Sequence, residues 1–233
     1  MIRNILFSIF FFAGIIFISI IFLPSFFLPK KIVIIGGKLM GHWTGICLKV
    51  FLSTEIIIKG KENIIKDKKF FIAASHQSMF ETFYLQTIFK SPVFILKKEL
   101  LWIPIFGWYL KKIGSISIKR NQVTKDNLGF FDHISKIVNQ SDRPLIIFPQ
   151  GTRVLPNERP PFKKGAFRIY EQLNIVCQPV AINSGYVWPK KGFKNGNRDI
   201  VISILKPIPA GLDRENFLQI LEKAIYSELD TLN

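Results

Sequence analysis

The chain opens with a long hydrophobic segment and continues as short apolar runs that alternate with amphipathic stretches. From Ile5 to Leu23 there are nineteen residues without a charged side chain. At about 1.5 Å per residue, a helix of this length nearly matches the hydrocarbon core of a bilayer. We expect a membrane-inserted helix that ends near Pro24 and Pro29, where two lysines mark the membrane interface.

A cleaved signal peptide is the alternative interpretation of this segment. The apolar run is long for a signal peptide, and the sequence IFLPSFFLPKK that closes it contains no convincing small-x-small cleavage site. We therefore expect an anchor that stays attached to the chain.

A second helix is predicted over KLMGHWTGICLKVFLS, residues 38–53. Its apolar side chains recur at helical spacing, whereas the charged side chains and His42 lie elsewhere on the helical wheel. We expect this amphipathic helix to contact lipid headgroups, or to pack on the first helix or on the main domain. His42 is expected to be a solvated or interfacial side chain.

From about residue 53 the pattern changes to β-rich runs that alternate with helical periodicity. This alternation predicts an α/β domain with a mixed, mostly parallel sheet flanked by helices, preceded by the N-terminal hydrophobic helix pair. Strands are predicted at residues 54–60, 69–75, 93–98, 115–120, 144–151, 176–182 and 199–206, and helices near residues 80–90, 104–112, 124–139, 164–174 and 214–232. We assign residues 1–52 to the membrane-anchoring helices and residues 53–233 to the main domain.

Charge and cysteine content narrow the possible partners. Lys and Arg number 32 against 16 acidic residues, a net charge of +16 that favours anionic partners such as anionic lipid, phosphorylated substrates and acidic proteins. Nucleic acid is disfavoured, because the aromatic residues are mostly Phe within apolar runs and are not interleaved with the basic clusters. Cys47 and Cys177 lie in apolar surroundings, so we expect buried thiols, no disulfide scaffold and no metal site.

Candidate chemistry begins where the strand FFIAAS ends in a histidine. His76 follows this strand directly, and Glu81 stands five residues later. A neutral imidazole can take a proton from an alcohol, and a carboxylate about one helical turn away can fix its tautomer. No Gly-x-Ser-x-Gly elbow surrounds Ser78, so a hydroxyl on the substrate is the simplest attacking group. By itself, this pair is more typical of a core or capping histidine than of a catalytic one.

Three basic clusters follow other predicted strands. GSISIKR ends with Arg120, IIFPQGTR ends with Gly151, Thr152 and Arg153, and PPFKKGAFR places Lys163 at a probable helix start. Each cluster alone is typical of a solvated basic face. Three of them at strand exits in one α/β domain indicate a phosphate pocket, because Arg can bind a phosphate through two parallel hydrogen bonds and a helix N-terminus favours anions.

The order of four sequence blocks resembles a known family. SHQSMFET, GSISIKR, FPQGTR and CQPVAI, within about residues 53–210, are similar in sequence and spacing to the four blocks of the glycerolipid acyltransferase superfamily, most closely bacterial 1-acylglycerol-3-phosphate acyltransferases. The resemblance implies that His76 is the catalytic base paired with Glu81. It implies that Arg120 and the block Gln150, Gly151, Thr152 and Arg153 bind the acyl acceptor and its phosphate, and that CQPVAI supports the acyl site.

The chain departs from the family pattern at two positions. Glu81 stands where the family usually has Asp, which keeps the carboxylate but changes its reach. Gln150 replaces the Glu of the usual FPEGTR block; an amide can hydrogen-bond an acceptor hydroxyl or hold a loop, but it carries no negative charge.

These observations predict a membrane-bound acyltransferase with no cofactor. It would transfer an acyl group from acyl-CoA or acyl carrier protein to 1-acylglycerol-3-phosphate at an anionic membrane surface, in a bacterial inner membrane with residues 53–233, the acyltransferase domain, on the cytoplasmic side. The alternatives are an acyltransferase for another lysolipid, such as a lyso-aminolipid, or a non-catalytic membrane-anchored module that binds anionic lipid.

Overall fold

A computed structural model of the protein describes residues 1–118 and 129–232. The helices in this part of the chain are α1 (Ile2–Ile21), α2 (Lys30–Leu52), α3 (Phe80–Ile88), α4 (Phe106–Lys112), α5 (Phe130–Asn139), α6 (Lys164–Leu173) and α7 (Arg214–Thr231). The strands are β1 (Ile56–Lys59), β2 (Phe70–Ala74), β3 (Val93–Lys97), β4 (Ile116–Ile118), β5 (Leu145–Ile147), β6 (Val176–Ile182) and β7 (Ile200–Ile204).

The described strands form one sheet in the order β1-β7-β6-β2-β5-β3-β4. Every neighbouring pair is parallel except β6 and β7, which run antiparallel. The predicted mixed, mostly parallel sheet with flanking helices is therefore confirmed. Residues 124–128 of the helix predicted over residues 124–139 lie outside the described residues, and α5 begins at Phe130.

The sheet separates two hydrophobic cores. In β2, Phe71 and Ala73 face the core formed with α5, α6 and α7, whereas Ile72 and Ala74 face the core formed with α1, α2 and α3. Successive side chains of a strand point to opposite faces, so a strand covered by helices on both sides is apolar at every position. This is why the central strands read as continuous hydrophobic runs rather than alternating ones.

The two N-terminal helices pack on the main domain. Phe7 and Phe11 of α1 are fully buried, and both rings lie edge-on to Trp188. The helix α2 begins at Lys30, eight residues before the predicted amphipathic segment. It ends at Leu52, followed by Ser53 in the left-handed conformation. Of the packing possibilities left open by the sequence, α2 contacts both α1 and α3.

Candidate active site

Three adjacent parallel strands deliver the site. In the order β6-β2-β5, the three strands point their carboxyl ends to the same edge of the sheet. His76 lies just beyond β2, the segment from Phe148 to Arg153 follows β5, and Ser184 follows β6. The loops that follow these strands therefore lie side by side at one edge of the sheet, where α/β sheets usually bind their ligands.

His76 and Glu81 are in contact. The His76 Nδ1 atom lies 3.3 Å from Glu81 Oε2, and the two side chains are 12% and 0% exposed. Glu81 is in the first turn of α3, so the helix start carries the carboxylate back toward the strand exit. With Nδ1–H donating to the carboxylate, the imidazole Nε2 remains as the proton acceptor. The base-and-orienter geometry predicted from the spacing is present.

The buried Glu81 carboxylate is held by further donors. Oε1 accepts from the backbone N–H groups of Gln77 at 3.2 Å and Ser78 at 3.0 Å, and from the Ser184 hydroxyl. Oε2 accepts from the Ser78 N–H at 3.1 Å in addition to His76. Such charge-assisted bonds compensate for burial of the charge. They also fix the carboxylate so that the longer Glu side chain still meets the imidazole.

Ser184 is a further residue that contacts the His76 and Glu81 pair, and the sequence motifs did not single it out. It is fully buried in the turn after β6, and the neighbouring Gly185 N–H donates to the Gln77 side chain at 3.1 Å. A Cβ on Gly185 would lie 2.8 Å from Gln77 Cβ, so a glycine is needed for this close approach. The sequence places Ser184 after a buried strand, as it does His76, but only the sheet order brings it to Glu81.

Replacing Ser184 tests its role as a positioning residue. Ser184→Ala is expected to lower kcat about tenfold with little change in KM, because hydrogen bonds to charged groups contribute roughly 1.5 to 3 kcal/mol. Ser184→Thr should restore part of kcat, since it keeps the hydroxyl. The measurement is steady-state kinetics of acyl transfer beside a thermal melt.

The matched control is Ser203→Ala. Ser203 is buried on β7, and its hydroxyl has no hydrogen-bond partner among the described residues. Ser203→Ala should therefore change neither kcat nor KM. A Ser184→Ala enzyme with wild-type kcat would contradict the positioning role.

The segment after β5 holds His76 from its other side. The rings of His76 and Phe148 stack with centroids 4.0 Å apart, and the backbone N–H of His76 donates to Gln150 Oε1 at 3.1 Å. The Val154 N–H donates to the His76 carbonyl at 2.9 Å. Gln150 is 1% exposed and is not part of the cavity wall in the described residues. The structure thus places Gln150 in the loop-holding contact, one of the two roles left open by the sequence.

The other predicted substrate-binding residues occupy different places. Thr152 and Arg153 line the same cavity as His76, and the Arg153 guanidinium has no hydrogen-bond or ion-pair partner among the described residues. Gly151 has φ of 72°, the left-handed region that glycine tolerates. Lys163 is exposed at the N-cap of α6. Its aliphatic side chain packs beside Gly151 and does not line the cavity. Arg120 lies outside the described residues.

A cavity of about 560 Å³ is lined by His76 and by residues of α2, α3, β3 and α4. Its polar lining residues include Thr152, Arg153 and Lys190. Phe22, Met40, Phe83, Phe94, Leu110 and Ile113 are among the apolar side chains that line it. Arg143, whose guanidinium donates to the carbonyls of Ser91, Pro92 and Ile113, is also part of its wall.

Neither cysteine is suited to act as a nucleophile. Burial raises the pKa of the Cys47 thiol to about 11 and raises the pKa of Cys177 well above its ordinary value. The thiolate, which is the reactive form, is therefore disfavoured at neutral pH. The arrangement is suited to removing a proton from a bound hydroxyl, beside a largely apolar cavity that the Arg153 guanidinium also lines.

Comparison with known proteins agrees with this chemistry. The family model described as Acyltransferase matches residues 55–183. The 1-acyl-sn-glycerol-3-phosphate acyltransferase of Saccharomyces cerevisiae is 31% identical over 85% of this chain and 68% of its own length. The protein of the same name from Pseudomonas aeruginosa is 33% identical over 58% of this chain, and the match spans about half, 52%, of that relative.

A solved structure shares the fold. The crystal structure of the 1-acyl-sn-glycerophosphate acyltransferase PlsC from Thermotoga maritima aligns with a TM-score of 0.81 at 21% identity, over 100% of this chain and 98% of that one. The family match covers the His76 and Glu81 pair, the Gln150 to Arg153 block and strand β6. The chain belongs to the acyltransferase family.

Proposed function

We propose that the protein transfers a fatty acyl group from a thioester to the free hydroxyl of 1-acylglycerol-3-phosphate, forming phosphatidate. The observation that carries this proposal is the contact between His76 and Glu81, with His76 lining a largely apolar cavity that Arg153 also lines. An alcohol base, an acyl-sized cavity and a guanidinium without a partner among the described residues correspond to the three parts of this reaction. The printed names of the yeast and Pseudomonas relatives support the same acceptor.

The proposed transfer is direct. His76 Nε2 removes the proton of the acceptor hydroxyl as its oxygen attacks the thioester carbonyl, and Glu81 stabilises the resulting imidazolium. The tetrahedral intermediate then collapses, the C–S bond breaks, and the imidazolium returns the proton to the departing thiolate. An ester and a free thiol are the products. No covalent acyl-enzyme is formed, in keeping with the buried, protonated thiols.

The cavity provides the site for the acyl chain. A fatty acyl chain is unbranched and apolar, and side chains from α2, α3, β3 and α4 supply a matching wall. Burial of methylene groups contributes about 0.8 kcal/mol each, so several carbons bound here would hold the thioester carbonyl near His76. The identity of the acyl donor, acyl-CoA or acyl-acyl carrier protein, stays a prediction from the positive charge of the chain, which favours either acidic carrier.

Membrane association is proposed to come from the α1 and α2 pair. Helix α1 is long and apolar enough to cross a bilayer by length and composition, with a mean hydropathy of 2.5. It is tied to the main domain near both ends, because the Asn4 amide donates to the Lys194 carbonyl at 2.8 Å and the Tyr109 hydroxyl donates to the Ser19 carbonyl at 2.6 Å. A helix attached to the domain near both ends can enter the bilayer only as deeply as the surface of the domain itself allows. We infer that it enters one leaflet and does not cross the bilayer alone.

The outward face of this helix pair fits such a position. Large apolar side chains are exposed along its length: Ile5, Ile9, Phe12, Ile16, Phe17 and Ile20 on α1, and Ile35, Leu39, Ile46 and Val50 on α2. A contiguous apolar face of this kind is typical of interfacial helices. The side of the membrane on which the domain lies stays a prediction.

The proposal is tested with purified full-length protein. Labelled palmitoyl-CoA and palmitoyl-acyl carrier protein are each supplied with a panel of lysolipids: lysophosphatidate, lysophosphatidylcholine, lysophosphatidylethanolamine and a lyso-aminolipid. Labelled phosphatidate should be the main product. Preference for another lysolipid would replace the acceptor while leaving acyl transfer intact, and absence of any acylated product with either donor would contradict the enzymatic function.

A further inference from the structure

We propose that the outer surface of residues 98–112 is a second membrane-contacting element, separate from the α1 and α2 pair. This element, here called the lip, consists of the 3-10 turn Lys98–Trp102, the loop 103–105 and helix α4. Its proposed partner is the headgroup region of an anionic bilayer. The inference rests on the proposed function, because it concerns how a lipid acceptor reaches the cavity.

The lip has one face in the cavity and one face in solvent. Leu100, Phe106 and Leu110 line the cavity that contains His76. Trp102 and Trp108 are not among the residues that line it, and they are 80% and 54% exposed. The turn follows the carboxyl end of β3, the same edge of the sheet from which His76 projects. Whatever covers the exposed face therefore lies next to the cavity wall.

A lipid headgroup region is the partner that these side chains fit. Tryptophan is enriched at the membrane–water interface, since its ring combines apolar surface with a polar N–H group. Lys97 and Lys111 are exposed and flank the two tryptophans along the chain. Together with Lys98 and Lys112 they outnumber the exposed Glu99, so the net charge of this segment complements an anionic surface. A partner protein with an apolar patch would not account for the lysines on both flanks of the tryptophans.

The lip is continuous with the exposed face of the helix pair. The Phe26 ring, in the connection between α1 and α2, lies edge-on to Trp108 and stacks on Tyr109 at 4.7 Å. The Lys112 ammonium donates to the Phe26 carbonyl. Phe27 beside it is 93% exposed. These contacts join the helical connection to α4, so one flat bilayer surface can contact both.

A tight turn separates the inner and outer faces of the lip. Ile105 has φ of 64° and ψ of −59°, and the Phe106 N–H donates to the Pro104 carbonyl at 2.6 Å. This is a γ-turn with a β-branched residue at its centre, a conformation that is rare because it is sterically unfavourable. It reverses the chain between Ile103, which is exposed, and Phe106, which lines the cavity.

Fluorescence of single-tryptophan proteins tests whether the lip touches lipid. One protein keeps Trp102 and carries Trp43→Phe, Trp108→Phe and Trp188→Phe; a matched protein keeps only Trp188, which is buried beneath Phe7 and Phe11. Both are bound to vesicles of phosphatidylglycerol and brominated phosphatidylcholine and are washed in high salt, which removes purely electrostatic attachment. Trp102 should be quenched more strongly than Trp188. Equal quenching of Trp102 and Trp188 in protein that sediments with the vesicles would overturn the proposal that the lip contacts lipid.

Kinetics supply the second readout. Trp102→Ser combined with Trp108→Ser should lower kcat/KM about tenfold for acceptor embedded in vesicles, since interfacial binding follows the apolar area buried. It should change kcat/KM by less than twofold for a monomeric short-chain lysophosphatidate, because neither tryptophan lines the cavity. Equal losses with both acceptors would overturn the proposal. The control is Ile220→Ser, an exposed residue on α7 across the sheet.

The two proposals fail in different ways. A wild-type protein that acylates no lysophosphatidate would remove the proposed acceptor, and the quenching comparison would still decide whether the lip contacts lipid. Conversely, phosphatidate formation together with an unquenched Trp102 would keep the proposed reaction and remove the lip.

Discussion

His76→Ala is expected to lower turnover by about two to four orders of magnitude, the range typical of general acid–base catalysis. The imidazole is the group positioned to take the hydroxyl proton, and Glu81 cannot replace it because its carboxylate is fully buried behind the ring. Binding of acyl donor should change little, since the apolar cavity wall remains. Single-turnover acyl transfer with saturating acceptor measures the chemical step directly.

A matched substitution separates chemistry from folding. His133→Ala removes an exposed imidazole on α5, across the sheet from the site, and should leave turnover unchanged. Thermal melts of both variants should stay close to wild type, since the His76 ring is near the surface of the cavity rather than in either core. Near-wild-type turnover in a folded His76→Ala protein would remove His76 as the base.

The fold was predictable because burial on both sides of a sheet leaves a strong signal in the sequence. The runs FFIAA and LII are apolar at every position, since helices cover both faces of β2 and β5. Helices α5 and α6 alternate apolar and polar side chains at helical spacing, because each buries one face only. Local pattern was sufficient for element type in both cases.

Strand order and the start of α2 were not predictable in the same way. Whether β7 runs antiparallel to β6 depends on how the chain returns to the sheet, which no local pattern specifies. After Lys30 and Lys31, the segment from Ile32 to Gly37 has no polar side chain to reveal an amphipathic helix, so its helical state became clear only from its packing between α1 and α3.

The site shows the same division between local and tertiary information. His76 and Glu81 are five residues apart, and a strand exit followed by a helix start brings such neighbours together. Ser184 meets Glu81 from 103 residues away, so its role required the sheet order. Gln150 was recognisable as part of a block, yet its burial against the His76 backbone came from tertiary packing.

The Gln150 contact also bears on the departure from the family pattern. The interaction with the His76 N–H needs only an acceptor oxygen, which an amide supplies as well as a carboxylate. A neutral side chain is also the less costly choice at a site that is 1% exposed. The replacement of Glu by Gln therefore keeps the contact that holds the His76 backbone, and in the proposed reaction the cationic side chains recognise the acceptor.

Arg153→Ala is expected to lower kcat/KM for lysophosphatidate by about 10- to 100-fold, since a charge-assisted hydrogen bond contributes roughly 1.5 to 3 kcal/mol. The guanidinium lines the cavity and has no partner among the described residues, so it is available to a phosphate. The loss should be much smaller for a matched lysolipid without the terminal phosphomonoester. Arg153→Lys should recover only part of the activity, because an ammonium lacks the planar pair of donors.

Two control variants make the comparison of acceptors decisive. Arg168→Ala removes an exposed guanidinium on α6 that lies over the Phe131 ring, and it should affect neither acceptor. Lys163→Ala should have a smaller effect than Arg153→Ala, because Lys163 is exposed beside Gly151 and outside the cavity wall. Equal loss with both acceptors in Arg153→Ala would show that Arg153 supports the site without reading the phosphate. Selective loss with lysophosphatidate alone would assign the phosphate to this guanidinium, since the shared glycerol and acyl groups are held constant.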